Sequence, residues 1–158
     1  MEMEQQSWME KAVTIARENV LRSHGGPFGA IVVRDGQIVG TGSNEVTATN
    51  DPTAHAEVQA IRDACRNLNT FQLTDCELYT SCEPCPMCLG AIYWARPKAV
   101  YFASTKQDAA KVGFDDQFIY DQIGIPFAER TIPFLQIQPE NYQIPFVTWA
   151  SSQSKVEY

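Results

Sequence analysis

His55-Ala56-Glu57 is answered downstream by Pro84-Cys85-Pro86-Met87-Cys88. One imidazole and two thiolates form a ligand set suited to zinc, a borderline-soft cation that accepts both nitrogen and sulfur. A structural zinc site usually closes its tetrahedron with four protein ligands, whereas a catalytic one keeps a position for water. Three obvious ligands are present here, so His55, Cys85 and Cys88 are expected to hold one Zn2+ per subunit, with water or hydroxide in the fourth position. Glu57 lies two residues from His55, a separation that turns the side chains to different sides of a helix and argues against joint ligation. It is read instead as the base that takes a proton from the water. The chemistry would be hydrolysis. A lone CxxC would suit a redox pair, a structural clip or a surface turn equally well. It is the joint spacing with His-x-Glu that sets these alternatives aside.

The elements that must position these groups can be read from local pattern. Ser7-Trp8-Met9-Glu10 resembles a capping box, and Trp8, Ala12, Ile15, Ala16 and Val20 recur at helical spacing, which predicts a helix over about 8–23. Gly25-Gly26-Pro27 breaks it. Residues 28–34 and 37–43 flank Asp35-Gly36, a two-residue hairpin signal. A loop over 44–53 leads to a helix over 54–68, a strand over 76–81, and a helix from Cys85 to Arg96 that ends at Pro97. Pro84 and Pro86 suit a helix entrance, whose partial positive charge favours thiolates. Residues 98–103 form a nearly continuous apolar run, consistent with a buried parallel strand, while Pro133 assigns 131–138 to a sheet edge. Residues 145–152 could form a last helix, with Phe146 and Trp149 on one face.

The 158 residues are 44% hydrophobic, enough for a core without disulfide staples, and a single domain over 1–158 is expected. Five cysteines is an odd number, and no apolar signal segment or membrane-length stretch is present, so a reducing cytoplasm is expected and a membrane partner is not. Cys65, Cys76 and Cys82 read as small buried apolar groups, Cys82 being close enough to the motif to consider as a fourth ligand. A net charge of -7 weighs against a nucleic-acid partner and favours a small neutral substrate.

The His-x-Glu and Pro-Cys-x-x-Cys pair resembles the signature of zinc nucleobase deaminases. The order of elements resembles the cytidine-deaminase-like fold, an α/β class in which a three-layer α/β/α sandwich surrounds a mixed sheet of about five strands. More narrowly, four segments resemble bacterial guanine deaminases: Gly25-Gly26-Pro27-Phe28-Gly29-Ala30, Asn50 to Glu57, Thr80 to Cys88, and Gly113-Phe114-Asp115-Asp116. The terminal Glu157-Tyr158 resembles that family as well. The resemblance implies hydrolysis of guanine to xanthine and ammonia, with Glu57 delivering a ring-nitrogen proton. Asp116 would be a second carboxylate that binds the amine and passes a proton, ahead of Asp115. On local grounds Asp115-Asp116 would serve equally as a helix cap or acidic first turn.

The resemblance also implies a flat slot walled by Phe28 and Trp94, edged by Asn44 and by the backbone amide of Ala56, and closed by Tyr158. Taken singly, the two aromatics read as core and Asn44 as a turn residue. A further implication is a homodimer in which the segment 139–158 crosses to the partner subunit. By local pattern that tail would fray. The enzymatic alternatives are a guanosine or other nucleobase deaminase and a tRNA adenosine deaminase. A zinc-stabilised binding protein is the non-enzymatic one.

Overall fold

The computed structural model describes all residues, 1–158. It divides into two compact units, Met1–Asp116 and Gln117–Tyr158.

The first unit opens with α1 (Glu2–Leu21), which begins earlier than the capping-box pattern predicts. Ser7 caps nothing; Glu2 and Glu4 occupy the first turn, where acidic side chains complement the helix dipole. The strands β1 (Gly29–Arg34) and β2 (Gln37–Ser43) follow as the expected hairpin, with Asp35 at φ 50° and Gly36 at φ 71°. Two successive positive φ values match the twist of the flanking strands, which explains the Asp-Gly pair. A short helix α2 (Val46–Thr49) interrupts the expected loop. Next come α3 (Ala56–Leu68), β3 (Glu77–Cys82), α4 (Pro86–Ala95), β4 (Ala99–Ser104) and α5 (Lys106–Ala110).

The sheet is mixed and has four strands in the order β2-β1-β3-β4, against about five expected. β1 is antiparallel to β2 and β3, and β3 is parallel to β4. Alternation along β1 builds two cores. Ile31 and Val33 pack with Tyr79 and with Ala12 of α1; Ala30 and Val32 pack with Leu78, with Ala56, Ala60 and Ala64 of α3, and with Ile92 and Ala95 of α4. The result is helix, sheet, helix.

α3 lies unusually close to β2. A side chain at Gly42 would place its Cβ 2.2 Å from the Ala56 carbonyl oxygen and 2.4 Å from the Ala60 nitrogen, so only glycine lets the backbones meet there. This contact fixes the helix start that carries His55 and Glu57.

Two strand expectations are corrected. β4 is parallel, as its apolar run suggests, but it is the last strand of the sheet and is half-buried to exposed along its length. Residues 131–138 form no strand. In the second unit α6 (Gln117–Ile123), a 3-10 turn (Phe127–Glu129) and α7 (Ile144–Ser151) are joined by irregular chain. The Arg130 guanidinium lies 4.8 Å from the ring centres of both Phe127 and Phe134 and donates to the Gln122 carbonyl, so Pro133 sits in a loop organised around an arginine. No helix is long and apolar enough to cross a membrane.

Candidate active site

His55 and Cys85 occupy equivalent places. Each is the N-cap of a helix, α3 and α4 respectively, held in extended backbone conformation just before the first turn. Pro86 supplies the first residue of α4, where its missing N–H costs nothing. Cys88 then follows within that first turn, and both sulfurs lie 3.5 Å from His55 Nδ1. The three ligand atoms all fall within 4.8 Å of one another.

This arrangement fits zinc. Bonds of about 2.3 Å to sulfur and about 2.1 Å to nitrogen, at tetrahedral angles, require ligand-to-ligand edges of about 3.6 Å. The titration of the pair is also suitable. A hydrogen bond from Cys88, with help from His55, holds Cys85 down to about 4 against the cost of burial, while the same bond and burial push Cys88 up. The Cys88 hydrogen bond thus favours the thiolate form of Cys85, the form in which a cysteine binds metal. His55 is raised chiefly by its bond to Cys85. Cys82 stands outside the group: burial pushes its thiol up to about 11, and it donates to the Thr105 carbonyl at 3.6 Å.

Glu57 sits in the first turn of α3 and is 5% exposed. Its Oε1 accepts a 2.6 Å hydrogen bond from Thr80 Oγ1 of β3. The backbone N–H of Ala56, the first residue of α3, belongs to the set of helix-start donors that find no partner within the helix. Asn44 is buried, and its Oδ1 faces the N–H groups of Gly26 and Val46 at 3.4 and 3.3 Å, which reserves its amide N–H2 for another acceptor. Phe28 meets Phe114 edge to face, with ring centres 5.0 Å apart. Phe114 leads into Asp115-Asp116. Burial raises the Asp116 carboxyl and the charge of Cys85 adds to the effect, so Asp116 lies within electrostatic reach of the ligand cluster.

The structure thus gathers His55, Cys85, Cys88 and Glu57, with Asp116 in electrostatic range. Trp94 lies near the far end of α4, about 13 Å along the axis from Cys85 at about 1.5 Å per residue, and is 62% exposed. Tyr158 belongs to the second unit.

Two supporting residues escaped the sequence reading. Asn19 is fully buried and donates to the carbonyls of Gly26 and Asn44 at 2.8 and 2.9 Å, tying the Gly25-Gly26 bend to Asn44. A polar side chain in register with buried Ala12 and Ala16 was the available signal. Thr80 left only the weaker hint of a hydroxyl within a buried strand.

Residues 2–104 match the family described as the cytidine and deoxycytidylate deaminase zinc-binding region, and the chain belongs to that family. Within it, the chain is 57% identical over 156 residues to the guanine deaminase of Bacillus subtilis (strain 168), covering 99% of this chain and 100% of that one. A solved structure of Bacillus subtilis guanine deaminase superposes with a TM-score of 0.95 over 97% of this chain and 98% of that one. A guanine deaminase structure from Nitrosomonas europaea gives 0.66 at 34% identity, covering 69% and 63%. A tRNA-specific adenosine deaminase of Aquifex aeolicus is 49% identical, but over only 49% of this chain and 52% of its own.

Proposed function

We propose that this chain is a zinc-dependent hydrolase that converts guanine and water to xanthine and ammonia. One observation carries the reading. The family region ends at residue 104, whereas likeness to a guanine deaminase continues at 57% identity over essentially the whole chain, through the stretch that holds Asp116 and Tyr158. The tRNA deaminase likeness covers only half of the chain.

His55, Cys85 and Cys88 would hold one zinc ion per subunit, which supplies Lewis acidity toward water at near-neutral pH. Glu57 takes the proton that the attacking water loses and delivers it to a ring nitrogen of the purine. Asp116 binds the exocyclic amine and helps it leave as ammonia; burial, which favours its protonated form, suits a group that must give up a proton. Asn44 and the Ala56 N–H hold the polar edge of the base, and Phe28, braced by Phe114, offers an aromatic face for stacking.

Trp94, exposed on α4, would stand with Phe28 as a wall of the substrate slot. The active form is a homodimer in which 139–158 is exchanged, so that Tyr158 closes the partner's site. Support comes from the second unit, which has no buried residue yet exposes Ile132, Leu135, Ile137, Phe146 and Val147. Five unpaired cysteines suit a cytoplasmic setting.

The test is to incubate the zinc-loaded protein separately with guanine, guanosine, adenosine and cytosine, and to measure ammonia and the deaminated product. Guanine is expected to turn over fastest. Faster release from guanosine or adenosine would reassign the substrate, and no release from any of the four would remove the enzymatic reading.

A further inference from the structure

We propose that Thr80 is a positioning residue for Glu57, one that reserves a single carboxyl oxygen for proton transfer. The inference rests on the reading of Glu57 as the group that moves the proton.

Strand alternation turns Thr80 to the same side of β3 as Leu78, toward the core that β1 shares with α3 and α4. Thr80 is 1% exposed. Valine has the same shape and would fill that space without the cost of burying a hydroxyl, so the hydroxyl must be bonded for threonine to be tolerated. It has two acceptors. Oγ1 lies 2.6 Å from Glu57 Oε1 and 3.1 Å from the Cys82 carbonyl oxygen.

A hydroxyl carries one proton, and a charged carboxylate attracts it more strongly than a neutral carbonyl. While Glu57 is ionised, Thr80 therefore donates to Oε1. The proton that Glu57 gains from water goes to Oε2, because Oε1 already faces Thr80; Cys88, which also bonds the Glu57 carboxylate here, has no proton to donate as a metal-binding thiolate. Oε1 can still accept from Thr80 as the carbonyl of the neutral acid, and Oε2 later gives its proton to the purine. If the weakened bond to Oε1 lets the hydroxyl turn, the Cys82 carbonyl receives it. Neither protonation state of Glu57 strands a buried polar group, and the carboxyl need not rotate between receiving a proton and giving it away.

Four measurements test this. Thr80→Val should lower kcat about 10- to 100-fold while KM stays within about threefold and zinc content is unchanged, the size expected when a partner that orients a working group is removed. Thr80→Ser, which keeps the hydroxyl, should restore kcat to within about threefold of wild type. In the Glu57→Gln background, Thr80→Val should add no further loss. Wild-type kcat in folded, zinc-replete Thr80→Val, equal damage from serine and valine, or the same loss in both backgrounds would each overturn the proposal. Should the valine variant fail to fold, Thr80→Cys takes its place, and its weaker donor should give a kcat between those of serine and Glu57→Gln. The fourth measurement is independent of turnover. The infrared carboxylate band assigned to Glu57 by difference against Glu57→Gln should shift when the Thr80 hydroxyl is removed. An unchanged band would count against the role even in a protein that leaves guanine untouched, an outcome that separately overturns the proposed function.

Discussion

Residues 1–116 contain every buried residue of the chain, and residues 117–158 contain none. The first unit stacks helices on both faces of a sheet, and its reactive groups stand on helix starts pressed against that core. The second is organised locally, by Arg130 between two phenylalanines and by the Gln122 side chain accepting from the Thr131 N–H at 2.8 Å. Chains of its size seldom bury enough surface to be stable alone. Precision follows from packing. Proton transfer and metal binding tolerate little displacement, so they sit where packing is dense.

That contrast can be broken most severely at the ligands. Cys85→Ala should lose both stoichiometric zinc, by metal analysis, and detectable ammonia release from guanine; retention of both would show that the cluster is not the reactive centre. Glu57→Gln should keep its zinc and lose about 10²- to 10⁴-fold in kcat, the range for removing a general acid-base group. Zinc loss accompanying the activity loss would instead make Glu57 a ligand.

Smaller effects sharpen the difference in packing between the two units. Gly42→Ala forces a Cβ into the α3 backbone and should cost about 1–3 kcal/mol in urea unfolding. Gly124→Ala in the second unit meets nothing within 4 Å and should stay within about 0.5 kcal/mol. Equal costs would deny the contrast in packing. The smallest expected change in activity follows deletion of residues 155–158. If Tyr158 contributes one aromatic contact worth about 0.5–1.5 kcal/mol, kcat/KM for guanine falls about 2- to 13-fold, with zinc content and melting temperature unchanged. Unaltered kinetics would remove the closing role of the tail.

Much of the site was legible because its signals are local. His55 and Glu57 are two residues apart, Cys85 and Cys88 three, and Pro86 marks the start of α4, so one turn of chain suffices to reveal each half. Asp35-Gly36 identifies the hairpin for the same reason. What stayed hidden depends on distant partners. Thr80 gains its meaning from a carboxylate 23 positions away, and Asn19 from a carbonyl 25 positions away. Pro133 reads as a mark of a sheet edge, yet its segment answers to Arg130 and to no strand.

The ligand set, the acidic partner beside it and the periodicities of the helices and strands follow from local sequence, because side-chain chemistry and backbone preference act over a few residues. That β4 ends the sheet half-exposed and that Thr80 faces Glu57 follow from the packed fold. Strand order, burial and buried hydrogen bonds are properties of pairs of segments, fixed when long-range packing selects one arrangement among many that the same local patterns allow.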